Sequence, residues 1–364
     1  MNVYLQRIKA CKKRLHEKHL NGCLVLPGPN FQYFTSYTVE SFERFMGLFI
    51  PLDGEPSLLL PELEADRGRR LSAIQRITSY KDAENIQQVL SSVLSRLNLQ
   101  SGILGVEGQT PFSTIQLLTK TSAKIQLENV DPILQQLRLT KSEQELEKLR
   151  QSSQILEEAI SYVLNTSKTG MTEKEVARVV THRIEDQKGD VPFCLIQSGR
   201  NSAIPHHSYG ERRIQRNDVL LLDIGCKYEG YVTDISRTVV IGTPSEKMKE
   251  VHKIVVEAQK RAIEAVKPDV KAEEIDRKAR GYIEEKGYGE QFIHRTGHGL
   301  GLEVHEAPFI LKGNSQTLEP GMVFTVEPGI YLSGEFGVRV EDNIVVTDEG
   351  YENLTSLDKE LREV

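Results

Sequence analysis

The chain has 364 residues, a length that accommodates two average domains. Its 38% hydrophobic and 27% charged residues describe a soluble globular protein, and a net charge of −6 with no basic stripe excludes nucleic acid as the main partner. No apolar stretch reaches membrane-spanning length, and Met1-Asn2-Val3-Tyr4-Leu5-Gln6-Arg7 leads into a lysine-rich amphipathic helix, not into the apolar region of a signal peptide. Cys11, Cys23, Cys194 and Cys226 show no CxxC spacing, so they read as free thiols in a reducing cytoplasm.

Up to about residue 130, short apolar strands (Gly22 to Leu26, Leu48 to Ile50, Leu58 to Leu60, Gly102 to Val106) alternate with helical patterns. This predicts a small α/β domain over 1–130, with no metal-ligand cluster and no phosphate loop. The boundary is expected at Val130-Asp131-Pro132, with the second domain over 131–364. Thr140-Lys141-Ser142-Glu143 has the form of a capping box that opens a long helix, in which Leu146, Leu149, Leu156, Ile160 and Val163 recur at core spacing. Thr172-Glu173-Lys174-Glu175 opens the next helix in the same manner.

The chemistry-bearing residues lie beyond position 220. Asp223 ends the apolar run Val219-Leu220-Leu221-Leu222, and Tyr228-Glu229-Gly230 predicts a turn that folds the strand carrying Asp234 back beside the first. His298 stands in Thr296-Gly297-His298-Gly299-Leu300-Gly301, where glycines leave room for close backbone approach. Glu327 ends Val323-Phe324-Thr325-Val326 just before Pro328-Gly329, and Glu341 follows Val338-Arg339-Val340. Singly, each reads as a turn former, a cap or a packed loop residue. Together, four carboxylates in one place repel one another unless cations neutralise them, and two divalent ions would do so. Oxygen ligation with one imidazole suits manganese, cobalt or zinc better than a thiolate-bound metal. Neither the glycine run at 297–301, which lacks G-x-G-x-x-G spacing, nor His305-Glu306, which lacks the second histidine of H-E-x-x-H, fits a rival motif.

A weak internal repeat organises the same region. Residues 168–185 align without gaps with 267–284, an offset of 99 that also carries Phe193 onto Phe292 and His206 onto His305. Further on, Asp223 falls on Glu327 and Asp234 on Glu341. Two related halves facing across a pseudo-two-fold axis are therefore expected. Each contributes two acids and one histidine, and His298 alone breaks the symmetry. The offset selects His206 over its neighbour His207.

The runs Ser198 to His206, Leu222-Asp223-Ile224-Gly225, Asp234 to Thr238, Gly297 to Gly301, Val304-His305-Glu306, Glu327 to Tyr331 and Arg339 to Asp342 resemble the pita-bread metallopeptidases, above all the Xaa-Pro dipeptidases (prolidases) and Xaa-Pro aminopeptidases. The match covers roughly residues 140 to 364, and the front of the chain resembles, more loosely, the creatinase-type amino-terminal domain. The resemblance implies a pita-bread catalytic domain and two metals on Asp223, Asp234, His298, Glu327 and Glu341, with Asp234 and Glu341 bridging and manganese ahead of cobalt or zinc. It further implies that His206 and His305 contact the scissile region, that Glu327 handles protons, and that Arg339 assists the substrate or the metal-site carboxylates. The implied reaction is hydrolysis of the bond before proline in a small peptide, in a cytoplasmic homodimer away from membranes. Loops around Tyr37 to Arg44 are expected to govern peptide length. The rival readings are a creatinase-like hydrolase without metal and a peptide-binding pseudoenzyme; both would show missing ligands, and none of the five is missing.

Overall fold

In the front of the chain, apolar four- and five-residue runs are too short for helices and too apolar to face water, so they pair into one central sheet. The computed structural model describes residues 3–363 and divides into units Met1–Arg138 and Leu139–Val364. The first unit comprises α1 (Val3–Glu17), β1 (Gly22–Val25), α2 (Pro29–Thr35), β2 (Gly47–Pro51), β3 (Ser57–Pro61), α3 (Glu62–Leu71), β4 (Ile77–Tyr80), α4 (Ile86–Arg96), β5 (Gly102–Val106), α5 (Phe112–Thr121), β6 (Ile125–Asn129) and α6 (Asp131–Arg138). Its mixed sheet runs β4-β3-β2-β1-β5-β6.

This unit is the expected α/β domain, but it extends one helix beyond the 130/131 boundary. α6 packs on α1, and the hydroxyl of Tyr33 donates to the carbonyl of Leu137 at 2.8 Å while Arg138 donates to Asn30 at 2.8 Å. Within the segment 37–44, Tyr37 is fully buried with its hydroxyl on Glu64, and Arg44 is paired with Asp82.

The second unit comprises α7 (Glu143–Thr166), α8 (Glu173–Asp186), β7 (Cys194–Ser198), β8 (Asp218–Tyr228), β9 (Tyr231–Ile241), α9 (Glu246–Glu264), α10 (Ala272–Glu285), β10 (Gly297–Gly299), β11 (Glu306–Ile310), β12 (Val323–Val326), β13 (Gly329–Leu332), β14 (Phe336–Arg339), β15 (Asp342–Val346) and β16 (Tyr351–Asn353). The five residues expected to recur on the core face of α7 are all buried. Its capping box, however, is Ser142 with Glu145, two residues later than expected. Thr140 bridges Met322 in a β contact and the Lys141 ammonium is buried against Glu306 at 3.2 Å, which keeps both residues out of the helix. The Thr172–Glu175 box of α8 forms as expected.

The repeat is visible in the architecture. α8 and α10 are both 14 residues long and begin 99 positions apart. Two apolar cores follow the halves: α7, α8, β7, β8 and β9 share one, and α9 and α10 with most of the later strands share the other. Each fully buried leucine, isoleucine or valine contributes about 1.5–3 kcal/mol, so each half carries its own reason to fold. The strands form the sheets β7-β8-β9, β11-β10-β12-β15-β16 and β13-β14.

Candidate metal centre

The first pair of acids comes from the β8–β9 hairpin. Glu229 and Gly230, both at positive φ, make the tight turn, and the register sets Gly225 opposite Asp234 and Asp223 opposite Ser236. Asp223 and Asp234 are therefore diagonal neighbours on one face of the ladder. Asp223 does not end its strand: β8 runs on to Tyr228. Gly225, which reads as a break in the sequence, is a packing requirement, since a Cβ there would lie 2.4 Å from the Phe193 ring.

The second pair comes from a hairpin interrupted at the site. β12 pairs with β15 through Val326 and Asp342, and β13 with β14 through Gly329 and Arg339, in one continuous register that sets Glu327 opposite Glu341 at the break. His298 occupies the middle of three-residue β10, between β11 and β12. A Cβ at Gly297 would meet the carbonyl oxygen of Thr325 at 1.8 Å, and one at Gly299 the carbonyl oxygen of Ala307 at 2.2 Å. The glycines are there so that both neighbouring backbones can close on the histidine.

Ligand atoms of Asp234, His298 and Glu341 all lie within 4.8 Å of one another, and all three residues are buried. The His298 Nε2 stands 3.3 Å from Glu327 Oε1 and 3.8 Å from Asp234 Oδ2, while its Nδ1 faces the Gly299 carbonyl at 3.1 Å. With Nδ1 donating to that carbonyl, Nε2 presents its lone pair to the acids. Asp223 completes the group from the Arg339 side, to which it is ion-paired.

Around the ligands is a set of orienting bonds. The Ser236 hydroxyl donates to Glu341 Oε2 at 2.6 Å and accepts from Arg339 Nε at 2.9 Å. Asn343 clamps the Asp234 backbone through both ends of its amide, and the Thr325 hydroxyl donates to Glu327 at 3.2 Å. Arg339 is 2% exposed, and its donors go to Asp223, Ser236 and Tyr331.

The electrostatics fit a divalent metal. Burial, and then the neighbouring carboxylates Glu341, Asp223 and Glu327, push the Asp234 carboxyl well above its ordinary range. Burial and the charges of Glu327 and Asp223 do the same to Glu341, and burial raises Glu327 to about 7. Burial holds His298 neutral. Asp234 Oδ1 and Glu341 Oε1 are buried with no hydrogen-bond partner. Unsatisfied buried carboxylate oxygens around a neutral imidazole are costly in themselves, and they are the donor set a hard or borderline dication takes up.

His206 and His305 lie beside this group. The His305 ring meets the His298 ring edge-on at 4.3 Å between centroids; burial lowers its pKa, and the nearby charges of Arg295 and His206 lower it further. His206 is exposed, on a loop tied down by a buried carboxylate. Glu173, the first residue of α8, accepts from Ser198 N and Oγ at 2.8 Å, Asn201 Nδ2 at 2.9 Å and Gly210 N at 3.1 Å. In the second half, Asp276 accepts from Thr296 and Arg280, and Arg280 also donates to the carbonyls of Phe292 and His294. His207 lies 3.9 Å from Glu173, on the supporting side.

Sequence reasoning missed His294, whose ring contacts the Arg295 carbonyl at 2.7 Å and the Tyr331 hydroxyl at 2.9 Å. It also missed Ser236, Thr325 and Asn343 as orienting groups. The only available signal was their proximity in sequence to Asp234, Glu327 and Glu341.

Residues 147–348 match the model of metallopeptidase family M24, and residues 7–140 that of the creatinase/prolidase N-terminal domain. The chain belongs to metallopeptidase family M24. An Xaa-Pro dipeptidase of Pyrococcus horikoshii is 34% identical over 364 residues, covering 99% of this chain and 100% of that protein. An uncharacterized peptidase of Staphylococcus aureus (strain bovine RF122 / ET3-1) is 36% identical over 357 residues, covering 98% and 100%. The crystal structure of a prolidase from Thermococcus sibiricus superposes with a TM-score of 0.95 at 36% identity, covering 100% of each chain. The fold is thus the pita-bread fold of M24 peptidases behind a creatinase-type domain, and the protein is a metallopeptidase of a family that uses divalent metals.

Proposed function

We propose that this M24 peptidase hydrolyses the peptide bond preceding proline in short Xaa-Pro peptides, using two divalent cations held by Asp223, Asp234, His298, Glu327 and Glu341. One observation carries the reading: buried ligand atoms of Asp234, His298 and Glu341 converge within 4.8 Å, with an unpartnered oxygen on each of the two acids, in a chain similar throughout its length to an Xaa-Pro dipeptidase. When bound, the cations supply an activated water and polarise the scissile carbonyl, and manganese suits the oxygen-rich set, with cobalt or zinc as alternatives.

The remaining roles fall to side chains. Glu327, 3.3 Å from His298 with its carboxyl raised to about 7, would take a proton from the attacking water and pass it to the leaving nitrogen. His305, exposed beside the His298 ring, and His206, on the exposed loop, donate to the carbonyl oxygen as it gains charge. Arg339 acts on the metal-site side, because its donors are spent on Asp223, Ser236 and Tyr331. Proline's tertiary nitrogen offers no N–H, so selectivity for it rests on shape. The test is turnover of Ala-Pro, Ala-Pro-Ala and Ala-Ala by manganese-loaded protein. Turnover of the two proline peptides and not of Ala-Ala is expected; equal rates on all three, or none, would contradict the reading.

A further inference from the structure

Gln197 lies on β7 opposite Leu221, two positions from Leu195, which is paired with Asp223 across the ladder. Alternate residues of a strand share a face, so Gln197 is on the Asp223 face of the sheet, while its neighbour Ile196 belongs to the apolar core behind. Its side chain is fully buried, and the amide Nε2 donates twice, to the Pro205 carbonyl at 3.0 Å and to the His207 carbonyl at 3.1 Å. The two acceptors flank His206. They also fix which way round the amide sits, because Oε1 in that place would face two other acceptors.

Ile204 to His207 form a β-turn closed by a bond from His207 N to the Ile204 carbonyl at 3.0 Å. Pro205 takes the second position, where its fixed φ fits, and His206 the third. The peptide linking these two is the one whose orientation separates a type I from a type II turn. Its carbonyl is that of Pro205, which Gln197 holds. Glu173 secures the ends of the loop, at Ser198, Asn201 and Gly210, and Gln197 the tip that carries the histidine. The charge of His206 reaches His294 and His305, which puts that tip beside the metal centre. Gln197 Oε1 is buried with no hydrogen-bond partner among the described residues, a cost that a leucine of similar size would avoid. The amide is there for its donor, not for packing.

We propose that Gln197 is a positioning residue, which through the central peptide of this turn aims the His206 imidazole at the scissile carbonyl. This rests on the reading above, in which His206 donates to the carbonyl oxygen. Manganese-loaded wild type, Gln197→Leu, His206→Ala and the double variant are compared on Ala-Pro, with metal content and Tm alongside. Gln197→Leu should lower kcat by about 10- to 100-fold, the scale of a misplaced reacting group, with KM, metal content and Tm near wild type. In the His206→Ala background the same substitution should change kcat by less than about twofold, because no imidazole is left to aim. A loss of equal size in both backgrounds, unchanged kcat, or loss of metal overturns the proposal. Gln197→Glu covers the case in which the leucine variant does not fold: its carboxylic acid form donates to one carbonyl and its carboxylate to neither, so its kcat relative to wild type should fall as pH rises. A ratio independent of pH, or failure of both variants to fold, would assign Gln197 to the fold alone and overturn the proposal. Hydrogen exchange on chelated protein adds a readout free of metal and of turnover: the amides of 204–207 should exchange faster in Gln197→Leu, and unchanged exchange overturns the proposal while leaving the peptidase reading intact. Full activity of His206→Ala, or a wild type inert toward Ala-Pro, overturns the role read for His206 and the proposal with it, even where exchange responds.

Discussion

Asp234 and Glu341 each keep one buried oxygen that meets no donor, and such oxygens suit a divalent cation. Replacing Asp234 with Ala should abolish metal retention and reduce hydrolysis to background; metal analysis of the purified variant reads this, and retained stoichiometry with full activity would remove Asp234 from the ligand set. Ser236 acts one step further out, through its 2.6 Å bond to Glu341. Ser236→Ala should weaken metal affinity by about 10- to 100-fold, as loss of an outer-shell partner does, measured by competition with a chromogenic chelator. His305 touches the ring of His298 without belonging to the buried three. His305→Ala should lower kcat by about 10²–10³-fold, the scale of one lost oxyanion donor, with metal content unchanged; loss of the metal would make it a ligand.

At the scale of elements, the glycines around His298 make a sharp prediction. Gly297→Ala drives a methyl group into the Thr325 carbonyl, and overpacking of this kind costs about 1–3 kcal/mol. Denaturant titration should show that loss together with weakened metal binding, because β10 cannot shift without moving His298. These strands also explain what was legible in advance. Apolar runs, the Glu229-Gly230 turn and the glycine flanks are local signals, and the residues they single out fall within strands at Asp223, Asp234 and His298 and between strands at Glu327 and Glu341. The true helix start at Glu143 and the continuation of β8 past Asp223 depend on Met322, Glu306 and Phe193, partners distant in sequence or packed from another element. Ser236, Thr325 and Asn343 escaped notice for a related reason: a small polar residue in a strand has no local signature until its cross-strand partner is known.

Across the whole catalytic unit, the repeat builds two cores whose hairpins converge on one acidic cluster, and that cluster links metal to pH. Without cations, the raised carboxyl of Glu327 stabilises the fold below about pH 4.5, and that contribution is lost as pH rises through about 7; Asp234 and Glu341 shift in the same direction. His252 and His294, whose protonation desolvation disfavours, act oppositely, losing stability as pH falls below 6.5, but neither is among the proposed ligands. The difference in Tm between metal-loaded and chelated protein should therefore grow from pH 5.5 to 7.5, with protons released on binding. A difference independent of pH would mean that the carboxyls are already ionised in the chelated protein.

The most direct test titrates manganese into chelated protein while following Ala-Pro hydrolysis. Activity that rises until two equivalents per chain are bound is the expected result. Saturation at one equivalent, or hydrolysis that persists with all metal removed, would contradict a dinuclear centre built on Asp223, Asp234, His298, Glu327 and Glu341.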